Sequence, residues 1–401
     1  MKDIDLISWQ TQLQTELKNI LHFWQNDAIN PEDNQFYGEI SGNGIPITNS
    51  SKGIIMYSRI MWSFSAAAQF YSNPDYIHTA DIAKSFIESS FFDANYGGFF
   101  WEVDHIGKPL VKKKQVYAQA FIIYAYTEYF LATHDFHILE KAMTVFHLLE
   151  NNCRDTKNGG YFEAFSETWD KLHDVRLSDK DLNEPKGMNT NLHVLEAYTR
   201  LYKATKDPQV LSALEDLIEI FCTKIIDSNN HVTIFFSENW EAKTHEYSYG
   251  HDIESSWLIW EAIIATQNKQ LQIQYKPLVI EMAETFLAEG LDASQSAVLY
   301  EKNTFTQKID SDRHWWVQAE AMEGLTHAYV LTKNTLYLKT AYNIWQYIHN
   351  HIIDKKNGEW FWRVSSTNIP YNEEQKAGQW KGPYHNSRAL INMISHIQNF
   401  I

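Results

Sequence analysis

The chain has 401 residues, a net charge of −16, two cysteines and an aromatic content of 14%. Hydrophobic residues make up 44% of it, which excludes intrinsic disorder, and the acidic excess argues against nucleic acid as a partner, since phosphate binding needs a basic surface. We expect a cytoplasmic protein with no membrane contact. The chain has only two cysteines, its N-terminus is unlike a signal peptide, and it has no run of ~18 apolar residues.

Helical patterns come in pairs along the chain. An amphipathic segment at about 5–26 precedes the pairs, and a last helix begins near 383. The first helix of each pair is apolar on nearly all sides, which indicates burial, whereas the second carries a polar face. The predicted pairs are 57–71 with 75–90, 115–133 with 136–152, 188–205 with 207–225, 250–267 with 270–288 and 312–332 with 335–352.

Short segments that mix turn residues with aromatic residues separate the pairs and recur every 56 to 73 residues. Each one is typical of a small β-hairpin or an extended loop. They lie at 37–47, 95–104, 158–167, 231–240, 296–303 and 357–364.

The repeat predicts an all-α fold, an (α/α)6 barrel with short β-hairpins in the connecting loops. Six apolar helices form the inner ring, and the N-terminal segment supplies the sixth outer helix beside the last inner one. The alternative, an open helical solenoid, requires polar-faced caps at both ends. The apolar last helix, ALINMISHI at 389–397, argues against it. No linker interrupts the chain, so residues 1–401 are predicted to form one domain.

Polar residues recur at one level of this repeat, in the first turns of the inner helices. Parallel inner helices gather their N-termini, with free N–H groups and partial positive charge, at one end of the barrel. Polar groups on otherwise apolar helices are costly to bury without partners. A shared pocket is therefore predicted at this end. Its residues are Arg59, Tyr117, Asn189, His193, His251, Glu254, Trp257, Trp316, Glu320 and His385.

Other uses of these residues stay open. A single histidine on an apolar helix is more often a hydrogen-bonded core residue than a catalytic one. His251 and Glu254 could ligate a metal together with His193 or His385. Glu254 and Glu320 could be the carboxylate pair of a glycosidase. The sequence contains no nucleophile elbow, Walker A loop or dinucleotide-binding fingerprint.

Six motifs, taken in order, resemble the cellobiose 2-epimerases of the N-acylglucosamine 2-epimerase superfamily over about residues 55–390. They are SRIMWSFS (58–65), KQVYAQAF (114–121), MNTNLHVLEAY (188–198), YGHDIESSW (249–257), WWVQAEAMEGL (315–325) and WKGPYHNSR (380–388). The resemblance implies an (α/α)6 barrel, a monomer and no cofactor. The implied reaction converts the reducing-end glucose of a β-1,4-linked disaccharide, such as cellobiose or lactose, to mannose.

The resemblance also implies roles for the pocket residues. The acid–base histidines are His251 and His385, Arg59 lies on the carbonyl side of the substrate, and His193 is a third active-site histidine. The remaining matched pocket positions are Tyr117, Asn189, Glu254, Trp257, Trp316, Glu320 and Trp380. The loops 165–187 and 239–249 do not align, so the choice of disaccharide stays open.

The chemistry implied is ring opening followed by proton transfer at C2 through a cis-enediolate. One histidine is then expected to be neutral and the other protonated, which predicts a bell-shaped pH profile. We expect Glu254 to orient His251, and Trp316 and Trp380 to stack on sugar rings. No metal is needed if Arg59 stabilises the enediolate oxygen.

Three other functions compete with this one. An aldose–ketose isomerase of the mannose isomerase type would share the enediolate and return the proton to C1 instead of C2. An N-acylglucosamine epimerase would prefer an acetamido sugar. A carbohydrate-binding protein without turnover would keep the aromatic residues but would need no histidine pair.

Overall fold

The computed structural model describes residues 4–401, and residues 1–3 of the predicted single domain lie outside this range. That residues 1–401 form one domain stays a prediction. Three of the helices end in one π turn each. These are α3 (Asp75–Phe86), which continues into Ile87–Phe91, α7 (Pro208–Ile220), which continues into Phe221–Ile225, and α11 (Thr335–Tyr347), which continues into Ile348–Ile352. The helices are α1 Leu6–Asn26, α2 Ile54–Tyr71, α3 Asp75–Phe86, α4 Val116–Thr133, α5 Phe136–Asn152, α6 Met188–Thr205, α7 Pro208–Ile220, α8 Tyr249–Thr266, α9 Lys269–Glu289, α10 Trp315–Thr332, α11 Thr335–Tyr347 and α12 Tyr384–Gln398.

The even-numbered helices form a closed inner ring. Helices α2, α4, α6, α8, α10 and α12 contact one another in chain order, and α12 contacts α2. Each odd-numbered helix packs outside its neighbour, and α1 packs against α12 as the sixth outer helix. The predicted (α/α)6 barrel is therefore confirmed, and the open solenoid is excluded because the last inner helix meets the first.

Local signals at the helix ends explain the pairing. The first five inner helices end at residues in the left-handed conformation, which turns the chain back sharply. Four outer helices then begin at Asp135, Asp207, Asn268 and Asn334, whose side chains accept backbone N–H groups of the first turn. The residues that end the inner helices are Ser72, His134, Lys206, Gln267 and Lys333.

Burial differs between the two layers as the hydrophobic pattern predicts. Residues 116–130 of α4 are buried without interruption, whereas α5 buries only one face. Among the largest buried side chains are Trp9, Trp24, Trp345 and Trp360. None of the helices within residues 4–401 combines the length and apolar character that a membrane span needs.

Short strands join neighbouring repeats. The strands are β1 Ile29–Asn30, β2 Gln35–Phe36, β3 Glu39–Ile40, β4 Pro46–Ile47, β5 Lys52–Gly53, β6 Glu102–Val103, β7 Pro109–Val111, β8 Lys114–Gln115, β9 Ala164–Phe165, β10 Lys186–Gly187, β11 Phe235–Phe236, β12 Glu246–Ser248, β13 Glu301–Asn303, β14 Ile309–Asp310, β15 Arg313–His314 and β16 Arg363–Val364. The strand before each of five inner helices pairs antiparallel with a strand that follows the next outer helix: β5 with β6, β8 with β9, β10 with β11, β12 with β13 and β15 with β16.

The predicted hairpins are present as tight turns, for example with Phe92 opposite Phe99 and Arg154 opposite Tyr161. Pairing between repeats was not predicted, because the partners are about 50 residues apart and two residues long.

Buried ion pairs anchor these loops at the N-terminal end of the inner ring. The Lys114 ammonium lies 2.7 Å from the Asp93 carboxylate, and the Lys186 ammonium lies 2.6 Å from that of Asp155. In both pairs the basic residue precedes an inner helix and the aspartate begins a hairpin. The loops around the predicted pocket are therefore held by charge pairs as well as by strand pairing.

We predict that Lys186→Met strongly destabilises the protein. Lys186 also donates to the carbonyl of Gly159 at 2.8 Å, and its removal leaves the Asp155 carboxylate buried without a counter-ion. Removing one partner of a buried pair costs about 3–5 kcal/mol, which should lower the urea midpoint of unfolding clearly. The control is Lys243→Met, which removes an exposed pair with Glu241 and should cost below about 1 kcal/mol. Equal midpoints for the two variants would contradict the assignment.

Candidate active site

The predicted pocket residues meet at the N-terminal end of the inner ring. The Arg59 guanidinium of α2 donates to the Tyr117 hydroxyl of α4 at 3.0 Å and lies 3.4 Å from Nε2 of His385 on α12. The ring of Tyr117 packs edge-on against His193 of α6, with centroids 4.9 Å apart. Four inner helices thus bring their polar residues into one cluster.

Trp316 links the two predicted acid–base histidines. Its ring centroid lies 4.8 Å from that of His251 and 5.7 Å from that of His385. Trp316 is half-buried, so part of this residue remains accessible to solvent. Trp380 is also half-buried, and its backbone carbonyl accepts a hydrogen bond from Arg59. Both tryptophans can therefore form walls of a pocket, as predicted.

All three pocket histidines are held through Nδ1. His385 lies 2.6 Å from Glu320, His193 lies 2.8 Å from Glu196, and His251 lies 2.8 Å from the hydroxyl of Ser248. A guanidinium can only donate, so Nε2 of His385 accepts from Arg59, and Nδ1 carries the proton donated to Glu320. Nε2 of His385 is thus the basic atom.

The prediction that Glu254 orients His251 is wrong. Glu254 accepts a hydrogen bond from Arg388 at 3.2 Å, whereas Ser248 holds His251. Residues three apart on a helix share a face, but the charge of Arg388 on α12 attracts the carboxylate toward the barrel axis. Glu320, expected only to bind substrate, holds His385 instead.

Arg388 is the functional residue that sequence reasoning missed. It is 2% exposed and lies among four carboxylates, which we call the carboxylate cluster. Like the other charged site residues, Arg388 lies on an apolar inner helix. It lies one turn after His385, the predicted pocket residue on the same helix. The members of the carboxylate cluster are Glu196, Glu254, Glu320 and Glu323.

One arginine cannot neutralise four buried carboxylates. Burial raises the pKa of Glu323 to about 8, and burial together with the charge of Glu320 raises the pKa of Glu254 well above its usual range. Burial opposes the ionisation of Glu196 as well, but Arg388 and His193 outweigh it and lower the pKa of Glu196 to about 2. The cluster therefore retains protons at neutral pH.

Burial also keeps the histidines neutral. It lowers the pKa of His251 to about 3, and with the charges of Arg59 and Arg388 it lowers the pKa of His385 well below its usual range. The pKa of His193 is lowered by burial in spite of Glu196. In the free protein both imidazoles therefore favour the neutral form, and the expectation that one is neutral and the other protonated during turnover stays a prediction.

Two other predicted residues differ in their surroundings. Trp257 is 2% exposed, and its indole N–H donates to Glu320 at 3.3 Å, so it supports that carboxylate from within the barrel wall. Asn189 is half-buried, and its side-chain oxygen has no hydrogen-bond partner within the described residues. An unpaired amide oxygen at this position suits a substrate hydroxyl.

The arrangement does not favour the metal and glycosidase alternatives. Glu254, Glu320 and His385 offer ligand atoms within 4.8 Å of one another, but Arg388 already donates to both carboxylates. A fixed guanidinium therefore fills the place of a cation. The two carboxylates share this one partner in the interior, whereas a glycosidase needs them on either side of a scissile bond.

Comparisons with known proteins identify the family of this chain. The family described as N-acylglucosamine 2-epimerase (GlcNAc 2-epimerase) matches residues 36–389. A cellobiose 2-epimerase of Bacteroides fragilis is 38% identical over 96% of this chain and 98% of its own. The structure of cellobiose 2-epimerase from Spirochaeta thermophila, 36% identical, superposes with a TM-score of 0.93 over 98% of each chain.

A D-mannose isomerase of Marinomonas mediterranea is a more distant relative, 22% identical over 96% of this chain and 97% of its own. A solved structure of D-mannose isomerase, also 22% identical, has the same fold with a TM-score of 0.84. The family match spans most of the chain, and the more similar relatives cover nearly all of it. The chain belongs to the N-acylglucosamine 2-epimerase family.

Proposed function

We propose that this protein is a disaccharide 2-epimerase that interconverts glucose and mannose at the reducing end of β-1,4-linked disaccharides such as cellobiose and lactose. The observation that carries the proposal is that the imidazoles of His251 and His385 both lie against the half-buried Trp316 ring, with centroids 4.8 Å and 5.7 Å from its own. Relatives up to 38% identical that are named cellobiose 2-epimerases support the choice of substrate.

His385 acts as the base in this proposal. Its Nε2 accepts the C2 proton, the electrons of the C–H bond form the C1–C2 double bond, and negative charge moves to O1 of a cis-enediolate. Glu320 at Nδ1 stabilises the imidazolium that results, as the aspartate of a hydrolase triad does. A positioned base of this kind typically contributes about 10²–10⁴ in rate.

A proton then returns to C2 from His251, on the other face of the sugar. This imidazole is neutral in the free protein, so it gains its proton with substrate bound. On ring opening, the anomeric hydroxyl gives its proton to His251, and the ring oxygen takes one from solvent. On ring closure, O1 takes the proton that His385 holds, and the ring-closing hydroxyl returns one to solvent. The roles of the two histidines reverse when mannose is the substrate.

Arg59 stabilises the enediolate in this scheme. Arg59 is 3% exposed, and its guanidinium donates to Tyr117 and lies beside Nε2 of His385. A fixed, buried cation stabilises negative charge that develops in the transition state. The arginine therefore does the work that a metal ion would otherwise do.

An aldose–ketose isomerase is the second candidate, favoured by the shared fold and by the relative named D-mannose isomerase. It requires the same enediolate and differs only in the carbon that is reprotonated. A binding protein without turnover is less well supported, because it does not require Nδ1 of both histidines to be held.

Product analysis in D2O tests the reaction. With cellobiose, lactose, mannose and glucose as separate substrates, we expect the disaccharides to give C2 epimers with deuterium at C2 of both epimers. A ketose product would favour the isomerase. Turnover without deuterium in either sugar would contradict the enediolate.

We expect His385→Ala to lower kcat on cellobiose by at least about 100-fold, because the base is lost while the barrel remains. The matched control is His396→Ala, at the other end of the same helix and half-buried, which should keep wild-type kcat. Initial rates measured by chromatography of the epimers decide the matter. Near-normal kcat in His385→Ala would remove His385 from the mechanism.

The pH dependence follows from the lowered pKa of each histidine. A base with a lowered pKa stays unprotonated on acidification, so the acid limb of kcat/KM should lie below pH 6.5, the ordinary pKa of histidine. Circular dichroism at each pH shows whether the protein remains folded. An acid midpoint at or above 6.5 in folded protein contradicts this prediction.

A further inference from the structure

The hydroxyl of Ser248 occupies an unusual position. Ser248 is the N-cap residue of α8, and serine there normally accepts a backbone N–H of the first turn. Here the side chain makes no capping hydrogen bond, and its Oγ lies 2.8 Å from Nδ1 of His251. The group best suited to stabilise the helix end is thus used to hold the histidine.

Ser248 differs in kind from the partners of the other pocket histidines. His193 and His385 are held by Glu196 and Glu320, whose carboxylates, when ionised, can accept hydrogen bonds but cannot donate them. A hydroxyl can donate or accept, so it can support either neutral tautomer of His251 as well as the imidazolium. Being neutral, it also leaves that imidazolium without an adjacent counter-ion.

The backbone fixes the Ser248 hydroxyl in place. Ser248 ends β12 and pairs with Glu301 of β13, and the N–H of Tyr249 donates to the carbonyl of Tyr300. The Trp316 ring also contacts the imidazole of His251, with centroids 4.8 Å apart. A Cβ at Gly250 would lie 2.7 Å from the Trp316 ring, so only glycine permits this approach.

We propose that Ser248 is a positioning residue that sets which nitrogen of His251 faces the substrate and lets the histidine change tautomer during turnover. The proposal rests on the proposed function for its role in catalysis. The titratable groups whose charges reach His251 are His193 of α6 and Glu320 of α10, and neither forms a hydrogen bond to it. Control of its tautomer therefore falls to Ser248.

Three substitutions at this position separate a positioning role from a structural one. Ser248→Ala should lower kcat about 10- to 100-fold with KM within about 3-fold, the loss expected when a histidine loses its orienting partner. Ser248→Thr keeps the hydroxyl and should recover kcat to within about 3-fold of wild type. Ser248→Asp adds a carboxylate at Nδ1 and should move the acid limb of kcat/KM upward by about one pH unit or more.

The matched control is Ser256→Ala, on the same helix. Ser256 is buried, and its hydroxyl donates to the carbonyl of Ile253, so its loss should leave kcat and the pH profile unchanged. A Ser248→Ala variant with wild-type kcat and pH profile overturns the proposal. So does a loss in Ser248→Ala that Ser248→Thr fails to restore.

A measurement without substrate keeps this test independent of the reaction. In protein labelled with 15N-histidine, the ring signals missing from His251→Gln identify His251, and Ser248→Ala should change their tautomer pattern. Unchanged His251 signals in Ser248→Ala overturn the positioning role whatever the enzyme does. Absence of epimerisation by the wild type, with shifted His251 signals, instead contradicts the proposed function alone.

Discussion

The ion pairs of the buried Arg388 guanidinium connect the helices that build the site. Its guanidinium comes from α12, whereas the carboxylates around it come from α6, α8 and α10. An uncompensated charge in the interior is prohibitively costly, so these four helices can be buried together only in the arrangement that brings arginine and carboxylates into contact. The contacts of Arg388 therefore link closure of the ring to assembly of the site, and the interior at this level of the barrel is salt-bridged instead of apolar.

The carboxylate cluster also divides the histidines into two kinds. Two of its members, Glu196 and Glu320, contact Nδ1 of His193 and of His385, respectively. Nδ1 of His251 instead contacts the neutral hydroxyl of Ser248. The same burial that makes Arg388 necessary lowers the pKa of each histidine and so favours the neutral imidazole. One buried network thus compensates charge, orients side chains and favours the unprotonated imidazoles that the proposed reaction requires.

Much of the fold was predictable, because its signals are local and repeated. Apolar and amphipathic helices alternate, and Asp207 with Pro208 marks a helix start in the sequence itself. The pocket level was predictable for a related reason, since His193, His251 and His385 are costly to bury without partners. Arg388 gave the same signal one turn later. The partner of Glu254 was not predictable, because helical spacing suggests His251 while the actual partner comes from a different repeat.

The helix pairs, the closed ring of six and the residues at one end of the barrel could be predicted from sequence alone. Their signals, burial pattern and turn chemistry, act over a few residues, and the family resemblance adds to them. The hydrogen-bond and ion-pair partners of the buried side chains became known only from the folded structure. Strand pairing between repeats, Glu320 at His385 and the carboxylate cluster at Arg388 all join residues from different repeats or different helices. Hydrogen bonds and ion pairs form over about 3 Å, so these choices depend on how the helices are placed around the ring, which no local pattern encodes.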